Sequence, residues 1–260
     1  MTLTAVANSA SRYALTMPET QRVALVTGGA RRVGRAIVER LATAGFDMAF
    51  TYLQSEAEAR AFEDDLAARG RSACAIRADL TDLPAAVDTV EREFRAKFTR
   101  LDVLINSASL YLPADLASTD LALMRRLAAI HVEAPLLLGQ RFAADLRNSR
   151  GHIVNMIDLL AERPWPQYLA YCASKAALAN LTLGLARALA PQVTVNGIAP
   201  GAVEWPADFP DSEKEKYLKR VPLARAGTPR DVAEAVLYLC TTGNYITGQI
   251  LRLDGGRSIT

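Results

Sequence analysis

From residue 22 onward, short apolar runs alternate with amphipathic stretches. Residues 22–27 (RVALVT) are apolar and β-branched and predict a strand, and 31–44 follow with helical periodicity. Residues 46–52 read as a second strand, and 56–69, rich in Ala, Glu and Arg, as a helix that Gly70 ends. Strands are predicted over 72–78 and 103–106 with a helix between them. Residues 120–146 form one long helical stretch in which Pro135 imposes a kink or a turn. A strand at 152–157, a helix of small and apolar residues at 168–190, a strand at 193–198, a helix at 229–239 and a last strand at 249–253 complete the pattern. Such alternation predicts an α/β fold: one doubly wound parallel sheet with helices on both faces and a ligand crevice at the carboxyl ends of the strands. No repeat, low-complexity tract or linker divides residues 21–260, which are expected to form a single domain.

Composition narrows the function classes. Half of the 260 residues are hydrophobic and 22% are charged, enough apolar material for a large core. The net charge is +2 and the arginines are dispersed, which makes no case for a nucleic-acid partner. Cys74, Cys172 and Cys240 fit neither a zinc site nor a CxxC pair, and their odd number points to a reducing cytoplasm. With His131 and His152 the only histidines, no metal site is expected. No uninterrupted apolar run reaches the ~18 residues of a membrane span, so no membrane is expected either. Residues 1–20 are small and polar with little periodicity; they are expected to form a flexible tail, with Met17 an alternative start to Met1.

The first predicted strand runs into Thr27-Gly28-Gly29-Ala30-Arg31-Arg32-Val33-Gly34 and then a helix. Glycines permit a tight turn and a close backbone approach to a pyrophosphate, and the helix N-terminus supplies N–H donors. The Rossmann-type reading is therefore a dinucleotide-binding and catalytic domain, against the alternative of an ordinary strand-to-helix turn. NAD sites carry an acid at the end of the second strand, but Thr51-Tyr52-Leu53-Gln54-Ser55 has none and Glu56 opens the next helix. Arg31, Arg32 and Ser55 suit a 2′-phosphate, which favours NADPH.

Tyr171-Cys172-Ala173-Ser174-Lys175 opens the helical stretch 168–190, and i,i+4 spacing puts the phenol and the ammonium on one face. A neighbouring Lys⁺ lowers a tyrosine pKa and prepares it for proton transfer near neutrality. Asp158 follows one strand, and Asn106-Ser107-Ala108-Ser109 follows another, so these strand ends face one crevice.

Together these residues resemble the short-chain dehydrogenase/reductases from Arg22 onward. The resemblance rests on the TGGARRVG turn, Asp79-Leu80, the NSAS segment, Tyr171-xxx-Lys175, Asn196-Gly197 with Pro200-Gly201, and Gly248 with Asp254-Gly255-Gly256. It implies a cofactor site at Gly28, Arg31, Arg32, Val33, Gly34, Ser55, Asp79, Leu80, Asn106, Ser107, Ala108, Tyr171, Lys175, Pro200 and Gly201. Two departures are informative. Arg32 stands at the usual middle glycine of the turn, and Asp158 at the usual catalytic serine, thirteen positions before Tyr171. Both are similar to the pteridine and dihydromonapterin reductases. The resemblance then implies Asp158, Tyr171 and Lys175 as the catalytic group, titrating as a coupled set in which an ionised Asp158 opposes the effect of Lys175 on Tyr171. It also implies Arg32, Ser109, Tyr111, Asp158, Tyr171 and Trp205 as substrate contacts, with Tyr111 stacking on a flat pterin.

Several alternatives stay open. Asp158 can be a helix cap, Tyr111 a packing ring, and the segment 201–226 with Trp205 and Phe209 either a substrate loop that closes as a lid or a hydrophobic loop. His131 stands where the family usually has a relay Asn and reads as a titrating group or a packed core histidine, and Gln54 where some pteridine reductases have an Arg. Cys172 points off the Tyr–Lys face and reads as packing. The leading expectation is an NADPH-dependent reductase of a dihydropterin, also of oxidised pterin or dihydrofolate, in a cytoplasmic homo-oligomer, a tetramer by resemblance. The alternatives are a carbonyl reductase, for example of a 3-oxoacyl thioester, and a non-catalytic NADPH-binding sensor.

Overall fold

The computed structural model describes residues 21–205 and 209–260. The expected tail 1–20, with Met17, lies outside the described residues, as do positions 206–208 of the expected substrate loop. Seven parallel strands form one sheet: β1 (Val23–Thr27), β2 (Asp47–Tyr52), β3 (Ala73–Arg77), β4 (Val103–Asn106), β5 (His152–Met156), β6 (Thr194–Pro200) and β7 (Ile250–Leu253), in the order β3-β2-β1-β4-β5-β6-β7. The order reverses between β1 and β4, which opens a crevice at their carboxyl ends.

The strands are buried on both faces, which is why they read as continuous apolar runs. Ala24 and Val26 face one core layer, Val23 and Leu25 the other. The first layer is closed by α1 (Arg32–Thr43), α2 (Glu56–Ala68) and α9 (Pro229–Thr241), through residues such as Val38, Phe62 and Val236. The second is closed by α3 (Ala85–Lys97), α5 (Ala134–Arg141) and α7 (Leu169–Leu189), through Phe94, Leu138 and Leu185. Each such side chain contributes about 1.5–3 kcal/mol by leaving water. Gly70 follows α2 at φ +76, a left-handed position that favours glycine. Thr228 starts α9 with a reciprocal capping box to Asp231.

Two expectations are corrected. The stretch 120–146 is α4 (Leu121–Ala128), a π turn (Ala129–Glu133), α5, and a separate α6 (Ala143–Ser149). Pro135 lacks the N–H that an α-helix would aim at the carbonyl of residue 131, and just before it the Ala134 N–H reaches back five residues to the Ala129 carbonyl rather than four. The expected loop 201–226 holds a helix, α8 (Asp211–Leu218), with Asp211 and Glu213 in its first turn and Lys216 in its last, suited to the helix dipole. By length and apolar character α7 alone among the described helices matches a membrane span, but half of that window is buried inside the protein.

Candidate active site

The turn from β1 into α1 is held tightly against its neighbours. Gly28, at φ +68, donates its N–H to Thr51 Oγ1 at 3.0 Å, and a Cβ there would lie 2.9 Å from the Ala108 Cα. A Cβ on Gly34 would lie 2.1 Å from the Gly28 carbonyl oxygen. The first turn of α1 has no acidic residue and no side-chain cap, so its N–H donors are left for an anion. Arg32 has φ 51, the left-handed conformation that explains why glycine is usual there. Its guanidinium bridges to Glu204, Nε to Oε2 at 2.8 Å and Nη2 to the backbone oxygen at 3.2 Å.

The expected proton group is assembled. Tyr171 Oη donates to Asp158 Oδ2 at 2.8 Å. Asp158 Oδ1 accepts the Leu160 N–H at 2.8 Å, so the carboxyl both caps a 3-10 turn and meets the tyrosine. Lys175, fully inside, donates to the Met156 carbonyl at 2.8 Å and lies 5.7 Å from the centroid of the Tyr171 ring. Burial raises the Asp158 pKa, opposed by the Leu160 N–H, the Tyr171 hydroxyl and Lys175. Burial likewise lowers Lys175 to about 8, against the pull of Asp158. One expectation is corrected here. Tyr171 is raised well above its ordinary value, first by burial, which spacing could not show, and then by Asp158, which was expected to oppose Lys175.

Tyr111 stacks on Tyr168 at 4.4 Å between centroids and meets the Tyr171 ring edge-on at 4.9 Å. Trp205 stacks on Phe209 at 4.9 Å and meets Tyr217 edge-on at 5.3 Å. Cys172 is buried among Leu127, Leu160 and Ala170 as a packing residue. His131 is also buried, at 1% exposure, and hydrogen-bonded at both ring nitrogens.

A cavity of about 740 Å³ joins these groups. Gly28, Arg31, Arg32, Val33, Gly34, Ser107, Ala108, Ser109, Tyr111, Asp158, Tyr171, Pro200, Gly201 and Trp205 all line it. Ser55, Asp79, Leu80, Asn106 and Lys175 do not. Ser55 precedes α2, Asp79 is exposed and accepts from Thr81, and Leu80 is buried. Asn106 donates to Asn155 Oδ1 at 2.8 Å, while its own Oδ1 is buried without a partner. Sequence reasoning missed Arg163, Trp165, Tyr217 and Arg257 on the wall. Arg257 is 6% exposed, and its Cζ sits 5.6 Å from the centroid of Tyr217. A lone buried arginine late in the chain carries no local pattern that would have flagged it.

Comparison with known proteins agrees with this geometry. A family profile described as enoyl-(acyl carrier protein) reductase matches residues 28–258. Pteridine reductase 1 of Leishmania tarentolae is 32% identical, over 95% of this chain and 99% of that protein. The 3-oxoacyl-[acyl-carrier-protein] reductase FabG of Staphylococcus aureus is also 32% identical, over 90% of this chain and 96% of its own. The crystal structure of FolM alternative dihydrofolate reductase 1 from Brucella canis, complexed with NADP, superposes with a TM-score of 0.83 at 35% identity, covering 92% of this chain and 95% of that one.

Proposed function

The chain belongs to the short-chain dehydrogenase/reductase family, and on that premise we propose that it reduces a pterin, dihydropterin to tetrahydropterin, with NADPH. It is an oxidoreductase, and its cofactor is NADP(H). Two features of the crevice fit that cofactor: the glycine cradle that any Cβ would fill, and the orphaned buried Oδ1 of Asn106 at the end of β4. Gly28, Arg31, Arg32, Val33, Gly34, Ser107, Ala108, Pro200 and Gly201 would hold it from the cavity wall, with Ser55, Asp79, Leu80 and Asn106 around the strand ends. The absence of a carboxylate at the end of β2 supports the phosphorylated form. When bound, the cofactor supplies the hydride.

The hydrogen bond from Tyr171 to Asp158 carries the substrate reading. Burial pushes both acids up, so the pair retains a proton to give rather than losing it to solvent. Reducing a C=N bond needs one hydride on carbon and one proton on nitrogen. Tyr171 and Asp158 hold that proton beside the cavity, with the Lys175 ammonium 5.7 Å from the centre of the Tyr171 ring. Arg32, Ser109, Tyr111 and Trp205 would orient the flat ring, with Tyr111 offering an aromatic surface. The pteridine reductase and dihydrofolate reductase relatives support this substrate class. The Staphylococcus relative supports a second reading, reduction of a 3-oxoacyl thioester. We further place the enzyme in the cytoplasm as a homotetramer.

NADPH oxidation should be followed with dihydrobiopterin, dihydromonapterin, dihydrofolate and acetoacetyl-CoA side by side. Turnover of a pterin is expected, and Asp158→Ser should lower it by about 100-fold or more. Turnover of the thioester alone refutes the proposal in favour of the second reading.

A further inference from the structure

His131 lies in the π turn between two serine hydroxyls. Its Nδ1 is 2.8 Å from Ser174 Oγ and its Nε2 is 2.8 Å from Ser109 Oγ. Each hydroxyl has one proton to give. Ser174 spends its proton on the Tyr171 carbonyl, at 2.7 Å. The Ser174 oxygen must therefore accept from Nδ1, which makes Nδ1 the protonated ring nitrogen. Burial, with Lys175 as the second cause, lowers the His131 pKa to about 2, so the ring is neutral and Nε2 offers a bare lone pair. Ser109 is then the donor to Nε2.

The consequence falls on the cavity. Ser109 is exposed on its wall, yet its proton is directed inward to the histidine. The competing acceptor is the Tyr171 hydroxyl, whose pKa a Ser109 hydrogen bond lowers; the 2.8 Å contact to Nε2 assigns the proton to the histidine, which leaves the Ser109 oxygen only lone pairs to offer the cavity. The neighbouring Tyr171 hydroxyl is turned toward Asp158. A ketone oxygen arriving at Ser109 meets no donor there, whereas a ring edge carrying N–H or NH₂ meets an acceptor.

We propose that His131 is a positioning residue that commits the proton of Ser109 and so makes Ser109 a hydrogen-bond acceptor for an N–H or amino group of the substrate. The tautomer stands independently of the substrate class; the choice of an amino-bearing ring rests on the pterin reading above.

The test has two parts. Long-range ¹H–¹⁵N correlation spectra of the full-length protein report the imidazole nitrogens, and His152→Gln assigns the remaining signal to His131. The expected result is a protonated Nδ1 and a bare Nε2, unchanged between about pH 5 and about pH 9. An Nε2-protonated ring, or an imidazolium in that range, overturns the proposal. Binding to the NADP⁺ complex is then measured for a 2-amino-4-oxopteridine and for the same ring with hydrogen in place of the amino group. The wild type should prefer the amino compound by about tenfold, the worth of one neutral hydrogen bond. Ser109→Ala and His131→Phe should erase that preference, and His131→Gln, whose amide oxygen can still accept from Ser109, should retain it. Equal weakening of both ligands in the Ser109 and His131 variants indicates a merely structural role and overturns the proposal. Pterin turnover with the wrong tautomer sinks this inference alone. The expected tautomer in a protein that neither binds nor turns over any pterin sinks the substrate reading alone.

Discussion

Replacing Lys175 by methionine should change how stability depends on pH far more than stability at neutrality. The lysine is 2% exposed, and burial lowers its pKa from 10.5 to about 8 although Asp158 pulls it up. In the unfolded chain the ammonium keeps its ordinary value. The fold therefore penalises the charged form, fully at pH below the folded value, and the penalty fades as pH rises toward the unfolded one. Linkage puts it at about 3 kcal/mol at pH 7 and under about 1 kcal/mol at pH 10. Methionine removes this penalty but also gives up the 2.8 Å bond to the Met156 carbonyl, a loss of about 1–3 kcal/mol at either pH. The net gain at neutrality is then small, whereas the trend is not. Relative to wild type, the variant should lose about 2–3 kcal/mol between pH 7 and pH 10. Urea unfolding of both proteins at one fixed protein concentration measures this, since oligomerisation would shift both curves by mass action. Unfolding free energies that run parallel across that range would refute the buried-ammonium argument.

Two further outcomes follow from the geometry. Gly28→Ala forces a Cβ to 2.9 Å from the Ala108 Cα at φ +68, so NADPH titration should show affinity weakened by about tenfold or more, with about 1–2 kcal/mol lost from stability in denaturant unfolding. Thr228→Ala removes one half of the capping box of α9, at a residue that does not line the cavity, and should cost about 1 kcal/mol in urea unfolding with kcat and KM changed less than about twofold.

The strands were legible almost to the residue because their burial on two faces leaves continuous apolar runs; 103–106 coincides with β4 and 22–27 overshoots β1 by one residue. The Tyr171, Lys175 and Asp158 group was legible because helical spacing and strand ends place side chains without further knowledge of packing. What packing alone decides was not. The pair Arg32–Glu204 joins residues far apart in sequence. Spacing makes Lys175 a neighbour of Tyr171 but says nothing of desolvation, which reverses the expected direction of the tyrosine shift. Helix α8 fully buries none of its side chains, with Tyr217 and Leu218 half-buried, so it carries little amphipathic signal. The π turn spans five residues, too few for its wider period to be told from an ordinary helical one.

That turn reaches further than its length. A proline four positions beyond His131 withholds the single hydrogen that would otherwise close an ordinary turn on the histidine's own carbonyl. Pro135 is buried and takes no part in the Ser109–His131–Ser174 hydrogen bonds, but the backbone irregularity it adjoins carries the imidazole that bridges the two serines. The polarity proposed for one spot on the cavity wall thus depends on a widened turn that begins six residues before a proline.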